Sequence, residues 1–154
     1  MIQLYTEKDK CSDVKWIQNI DPYFDNHFTA GKLSQSDLNL MRKLEGVELV
    51  DKKSNLFKSK DGVFPLNFIS TGLKTLLIVR HLKKDNKKGI GVDITECGPN
   101  ILDSLFEEIT DGSIPVVLRH TDIFDLKDRI VSVNDTFPVR TMSNLFDRIM
   151  ELKY

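Results

Sequence analysis

The sequence predicts an α+β fold, a single domain over residues 1–154 with a mixed, mainly antiparallel sheet, a central β-hairpin and about three to four helices packed on it. Strand-like and helical apolar patterns are mixed along the chain, and no segment repeats another. Two strand-like segments, residues 75–81 and 91–95, flank a charged connection of hairpin length. A chain of 154 residues has about the length of one domain.

The chain opens with a candidate strand and a short helix. Residues 2–5 alternate between apolar and polar, as a half-buried strand does. Asp21 followed by Pro22 is a typical helix start, because Asp caps free amides and Pro is tolerated in the first turn. This pair predicts a short helix or helical turn over residues 23–28.

The clearest helix signal lies in the next segment. Ser34 and Asp37 approximate a capping box, and apolar residues follow at helical spacing, which predicts a helix over residues 35–45. Gly46 is expected to end that helix, because glycine adopts the left-handed conformation of a C-terminal cap. The alternating residues 47–50 then predict a strand.

A polar, lysine-rich stretch and an interrupted strand precede the central hairpin. Residues 51–62 are interpreted as an exposed loop or an irregular hairpin. Residues 63–69 resemble a strand, but Pro65 cannot donate to a ladder and therefore indicates an edge or a bulge.

The C-terminal part alternates helices and strands. Apolar residues on one face predict a helix over 101–109, and the β-branched run at 114–118 predicts a buried strand. Residues 130–133 predict a further strand, and residues 142–149 an amphipathic C-terminal helix.

Charge and apolar content favour a cytoplasmic protein without a membrane segment. The 22 basic and 23 acidic residues nearly balance, so no global field attracts nucleic acid, a membrane or acidic substrates. The apolar runs fall short of the roughly 20 residues of a membrane helix, and the first residues lack a secretory leader pattern. Cys11 and Cys97 stand in no metal-binding pattern, so neither a metal nor a cofactor is predicted.

One candidate ligand site combines a helix start with basic and hydroxyl groups. Gly98 and Asn100 lie where a strand turns into a helix, and free amides there attract a phosphate or carboxylate. Lys74, Thr75 and Arg119 are the side chains expected to complete it. The alternative is that Gly98 only turns the chain, since the spacing of nucleotide-binding motifs is absent.

Three residues are candidates for catalysis. Cys97 at a helix start has the position of an activated thiol, and Arg119 with His120 follows a buried strand, as groups that meet a ligand at a sheet edge do. The alternative is structural: a small buried thiol, an arginine paired with a carboxylate such as Asp93, and a histidine bonded to backbone carbonyls.

Two segments are candidates for contact with a partner. Asp25 and Asn26 lie in an aromatic stretch that either forms a recognition surface or packs in the core. Residues 80–88 form a basic segment that either binds nucleic acid or an acidic protein, or is simply a solvated hairpin. Its lysines are Lys83, Lys84, Lys87 and Lys88.

Several of these segments together resemble a family of unknown function, made up of small cytosolic proteins from Gram-positive (Firmicutes-type, gut) bacteria and their mobile elements. The resemblance rests on residues 23–26, 70–76 and 118–120, and on Cys97-Gly98 with Asn100. It implies a compact fold and a bacterial habitat, and no established activity.

The leading hypothesis is a non-enzymatic binding or inhibitory protein that acts on a protein partner, in a bacterium or its mobile element, with a role in defence or anti-defence. It depends on the missing catalytic signature and on the balanced charge. The alternative is a small phosphate-handling enzyme or nucleotide binder of ribonuclease type. A third hypothesis is nucleic-acid binding through residues 80–88.

Overall fold

Two separate sheets and four α-helices make up the part of the chain that the computed structural model describes, namely residues 2–5, 15–17, 19–83, 90–93, 97–110 and 116–119. The helices are α1 (Ile20–His27), α2 (Gln35–Glu45), α3 (Thr71–Leu82) and α4 (Pro99–Thr110). The strands are β1 (Ile2–Tyr5), β2 (Lys15–Trp16), β3 (Glu48–Asp51), β4 (Leu56–Ser59), β5 (Gly62–Pro65), β6 (Ile90–Asp93) and β7 (Val116–Arg119). The predicted α+β class is confirmed.

The larger sheet is parallel. Its strands lie in the order β1-β7-β6-β2, and each described neighbour pair runs in the same direction. Helix α4 connects β6 to β7, and such a crossover is what two neighbouring parallel strands require. The antiparallel pairing predicted for the main sheet is therefore found elsewhere in the fold.

The antiparallel strands form the smaller sheet, in the order β3-β4-β5. Strands β4 and β5 make a tight hairpin, which decides between the two interpretations of residues 51–62. Phe57 and Phe64 are register partners and share one face, while Lys58 and Val63 share the other. Pro65 ends the edge strand β5, as its missing amide hydrogen predicts.

The predicted strand over residues 75–81, and with it the central hairpin, is wrong, because these residues belong to α3. Ser70 caps the helix by accepting a hydrogen bond from the amide of Leu73 at 3.2 Å. Every residue from 72 to 79 is buried, so the helix has no polar face. The continuous apolar run at residues 76–79 has the same pattern in a buried helix and in a buried strand.

The other predictions for the first half are close to the structure. The capping box of Ser34 and Asp37 is present, and α2 ends at Gly46, whose φ of 65° is left-handed. The short helix predicted at 23–28 is α1, which begins at Ile20 after the N-cap position Asn19. The predicted capping role of Asp21 is wrong, because Asp21 already lies in the first turn of the helix.

The strand and helix predictions beyond residue 90 are confirmed as far as the described residues reach. Strand β6 corresponds to the prediction at 91–95, α4 to that at 101–109 and β7 to that at 114–118. The strand predicted at 130–133 and the helix predicted at 142–149 lie outside the described residues.

Helix α3 lies at the centre of the helical layer. Helix α1 runs alongside it in the same direction, because Asp21 contacts Thr71 at one end and the Phe28 ring packs edge-on against His81 at the other. Asp37 at the start of α2 also contacts His81, near the end of α3. Helices α1 to α4 and both sheets contribute to one buried core, whose largest fully buried side chains are Phe24, Phe57, Met41, Leu73, Leu76, Leu77, Ile78 and Ile90.

Asn55 joins the hairpin to the segment after α1. Its φ of 54° is left-handed, its Oδ1 accepts a hydrogen bond from the buried Ala30 amide at 2.7 Å, and its carbonyl accepts one from the Leu66 amide at 2.9 Å. We expect Asn55→Ala to lower the free energy of unfolding by about 2 kcal/mol, because alanine is strained at this φ and leaves the Ala30 amide unpaired. Urea denaturation measures the change.

Asn55→Asp is the matched control for this position. It keeps an oxygen for the Ala30 amide and tolerates the left-handed conformation, so its loss of stability should be clearly smaller. Equal stability of Asn55→Ala and the wild type would contradict the joining role of Asn55.

Candidate functional site

Lys74 is a buried residue of α3, and its ammonium contacts two carboxylates of α1. The Lys74 Nζ lies 2.9 Å from Asp21 Oδ1 and 3.2 Å from Asp25 Oδ1, and 5.7 Å from the centre of the Phe24 ring. The Lys74 side chain is only 4% exposed, whereas those of Asp21 and Asp25 are 50% and 36% exposed. The positive charge predicted to bind an anionic ligand is thus balanced inside the protein.

Hydroxyl groups complete this contact between α1 and α3. The hydrogen bond from Lys74 lowers the pKa of Asp21; burial acts in the opposite direction, and the Thr71 hydroxyl adds to the lowering. Thr71 donates to both carboxylate oxygens of Asp21 at 3.1 Å. Thr75 is buried and donates its hydroxyl to the Thr71 carbonyl at 2.9 Å. Thr71 therefore fixes α1 to α3, whereas the Thr75 hydroxyl is satisfied within α3.

A second polar cluster lies where the start of α2 meets the ends of α3 and α4. Its members, here called the Asp37 cluster, are Asp37, Arg80, His81, Lys83 and Glu108. Asp37 is 2% exposed, and its two oxygens lie 2.8 Å from Arg80 Nε and from His81 Nε2. Arg80 also donates to Glu108 at 2.7 Å, and Lys83 pairs with the same carboxylate.

Asp37 is held in its ionised form. Burial alone raises the pKa of Asp37, but the Ser34 amide, the Arg80 guanidinium and the His81 ring together lower it below its ordinary value. The amide of Ser34 donates to Asp37 Oδ2 at 2.9 Å, so the carboxylate that caps α2 also receives the charged groups of α3. The cluster thereby joins the N-terminal cap of α2 to the C-terminal ends of α3 and α4.

Chemically, the His81–Asp37 pair resembles a base oriented by a carboxylate. The His81 ring is 27% exposed and packs against Phe28, with ring centres 5.0 Å apart. Arg80 and Lys83 both pair with the Glu108 carboxylate. This arrangement fits a structural junction better than a reaction centre.

The residues predicted around the start of α4 lie at the edge of the parallel sheet. Cys97 is buried, whereas Gly98 and Asn100 are exposed at the beginning of α4. Arg119 ends β7 and is the register partner of Asp93 at the end of β6. The ends of β6 and β7 and the start of α4 therefore lie at the carboxyl edge of the parallel sheet, which is where open α/β sheets bind ligands. His120 lies outside the described residues.

The residues predicted to contact a partner lie in different environments, and some of them are already paired within the protein. Asp25 pairs with Lys74, Asn26 is exposed on α1, and Lys83 pairs with Glu108. Residues 80–82 form the last turn of α3, so the basic segment does not begin as a hairpin. Lys84, Lys87 and Lys88 lie outside the described residues.

A groove that the sequence did not reveal lies between the hairpin and the junction of α2 with α3. Its floor and mouth are apolar, and two carboxylates and two hydroxyls form its rim around a space of about 350 Å³. We call it the Phe68 groove, lined by Glu45, Val47, Ser59, Asp61, Phe64, Phe68, Ile69 and Ser70. The Phe68 side chain at its mouth is the most exposed large apolar group among the described residues, at 71%.

The sequence signal for Phe68 was misleading. Phe68 falls in the strand-like run at 63–69, where alternation places an aromatic residue in the core. In the structure the chain leaves the strand at Pro65 and makes a single 3-10 turn over Leu66–Phe68, which buries Leu66 and turns Phe68 outward. The proline at position 65 is the residue that could have signalled this change of direction.

In the ranges of the chain that the structure describes, no helix is long and apolar enough to cross a membrane. No group of three His, Cys, Asp or Glu side chains within those ranges is arranged to hold a metal ion.

Comparison of the chain with protein-family models, with curated proteins and with solved structures gives no match. The resemblance to a bacterial family of unknown function stays a prediction.

Proposed function

We propose that the protein is a non-enzymatic binding protein that recognises another protein through the Phe68 groove. The observation that carries the proposal is the Phe68 ring, 71% exposed beside an apolar floor. Burying a phenylalanine side chain is worth about 2 kcal/mol, so the ring gains most from a partner that covers it. Aromatic residues with this placement are typical binding hot spots.

The pairing of the buried charges supports a binding role over catalysis. Lys74 and Asp37, the buried charged side chains of the described residues, each contact oppositely charged groups. A general acid or base must lie within hydrogen-bond reach of its substrate, and these two groups are directed at other side chains of the protein. In this proposal the protein acts by occupying its partner, as an inhibitor does, in a bacterium or its mobile element.

Phe68→Ser tests the proposal. We expect affinity-tagged wild-type protein to retain a stoichiometric partner from a Gram-positive bacterial lysate, and Phe68→Ser to lose at least about nine-tenths of it, because a hot-spot aromatic is worth about 2 kcal/mol or more and each 1.4 kcal/mol is about tenfold in affinity. Quantitative mass spectrometry measures the ratio. Thermal unfolding checks that the variant folds, since an exposed side chain contributes little to stability.

Val63→Thr provides the matched control. Val63 is 64% exposed on the same hairpin but on the face opposite Phe64, so its replacement should leave the partner bound. A partner retained equally by Phe68→Ser, or no stoichiometric partner at all, would reject the proposal.

A second candidate function is phosphate handling or nucleotide binding at the carboxyl edge of the parallel sheet. It is favoured by the register of β6 and β7, which brings Arg119 to the edge where α4 begins. A nucleotide at 100 times its dissociation constant should stabilise the wild type by about 2.7 kcal/mol, and Arg119→Ala and His120→Ala should abolish that gain. Thermal unfolding with a nucleotide panel measures it, and the absence of any shift would exclude this candidate.

A further inference from the structure

We infer that the Phe68 groove binds a basic, apolar segment of its partner, in which a large apolar side chain is flanked by lysine or arginine. The inference rests on the proposed function, since it names the chemistry of the partner for the same groove. Two features carry it, the size and apolarity of the floor and the charge of the rim.

The floor fits one large apolar side chain. Val47 and Ile69 are 5% and 6% exposed, Phe64 is half-buried beside them, and Phe68 stands at the mouth. The open groove offers a space of about 350 Å³, which has room for one large side chain. A side chain that enters it lies next to the exposed Phe68 ring.

The rim carries two carboxylates without a cationic partner among the described residues. Glu45 accepts a hydrogen bond from the Ser70 hydroxyl, and neither Glu45 nor Asp61 forms an ion pair there. The hairpin's ion pair, between Lys58 and Glu48, lies on the opposite face of the sheet. An apolar floor between two uncompensated negative charges attracts a segment that combines apolar and positive groups.

The charge of the rim comes from its carboxylates and not from the end of α2. Glu45 is the last residue of α2, and Gly46 follows as the cap. Arg42 and Lys43 in the last turn of α2 offset the partial negative charge of the helix end. An acidic segment is repelled by the two rim carboxylates, so the rim selects among partners as well as binding one.

The test exposes the full chain to a displayed library of short random peptides. Enriched peptides should hold lysine or arginine next to an aromatic or large aliphatic residue. Fluorescence anisotropy with one enriched peptide should give binding that weakens with salt and is unchanged in Val63→Thr. The double variant Glu45→Gln with Asp61→Asn should bind it about tenfold more weakly, since glutamine still accepts from Ser70 while the rim loses its charge.

The possible results separate this inference from the proposed function. Peptides without basic enrichment, or affinity unaffected by the double variant, would overturn the basic segment while leaving a Phe68-dependent contact in place. No enriched peptide at all would also overturn it, and the lysate experiment would then decide the proposed function. Binding that survives Phe68→Ser would overturn both. A concentration-dependent dimer that Phe68→Ser abolishes would replace the segment with a second copy of the chain.

Discussion

Asp37→Ala is expected to lower the free energy of unfolding by about 3 to 5 kcal/mol, measured by urea denaturation. The substitution removes a carboxylate that is 2% exposed and accepts from Arg80, His81 and the Ser34 amide. Removing one partner from a buried polar cluster is strongly destabilising: Arg80 keeps Glu108, but the His81 ring and the Ser34 amide lose their acceptor. The loss of the cap of α2 adds to the effect.

Two milder substitutions serve as controls for Asp37. Asp37→Asn keeps an oxygen for the Ser34 amide but loses the charge, so its effect should be intermediate. Ser36→Ala removes only an exposed hydroxyl that accepts from Arg80, and should cost less than about 1 kcal/mol. An Asp37→Ala variant as stable as Ser36→Ala would contradict the central position of Asp37 in the cluster.

The same contacts set the response to acid. The folded pKa of Asp37 lies below its ordinary value of 3.8, so the stability that Asp37 contributes is present above 3.8 and is lost as pH falls through the folded pKa. Asp21 contributes in the same direction through Lys74. The stability of Asp37→Asn should therefore fall less steeply than that of the wild type over this acidic range, in denaturation at a series of pH values.

Lys74→Ala is expected to lower the free energy of unfolding by about 3 kcal/mol. The side chain is almost fully buried, with its ammonium 5.7 Å from the centre of the Phe24 ring, so alanine leaves a space in place of the four-carbon stem. It also leaves Asp21 and Asp25 side by side without the ammonium between them. Urea denaturation measures the loss.

Lys74→Met separates volume from charge at the same position. Methionine refills most of the space, and both carboxylates reach solvent because their side chains are 50% and 36% exposed. Removing one partner of an ion pair is costly when the charge left behind is buried. Since both carboxylates left behind here are hydrated, Lys74→Met should be within about 1 kcal/mol of the wild type. A loss as large as that of Lys74→Ala would mean that the ion pair, and not the packing, stabilises this contact.

Short-range sequence signals predicted the elements whose residue pattern fits only one type of secondary structure. The capping box of Ser34 and Asp37 and the stop at Gly46 gave the bounds of α2, because cap residues act within a few positions of each other. For α3 the local signals were ambiguous. Its residues from 72 to 79 are buried on all sides, so the helix lacks the polar stripe that distinguishes it from a strand.

The candidate sites depend on contacts between distant residues and could not be predicted from spacing. Asp37 and Arg80 are 43 positions apart, and Ser70 and Glu45 are 25 apart. Lys74 was predicted to bind an anionic ligand, and only the packing of α1 on α3 shows that its charge meets Asp21 and Asp25 instead. Phe68 has the pattern of a core residue, and only the turn after Pro65 exposes it.

The absence of a polar face on α3 has a consequence for synthesis on the ribosome. The ribosome releases α1, α2 and the β3-β4-β5 sheet before α3, so these elements can pack on part of α3 as it emerges. Strand β6 and helix α4 emerge afterwards. Until they do, the side of α3 that packs against α4 faces solvent, and a nascent chain with exposed apolar surface is prone to aggregate. Any truncation between α3 and α4 makes that transient exposure permanent.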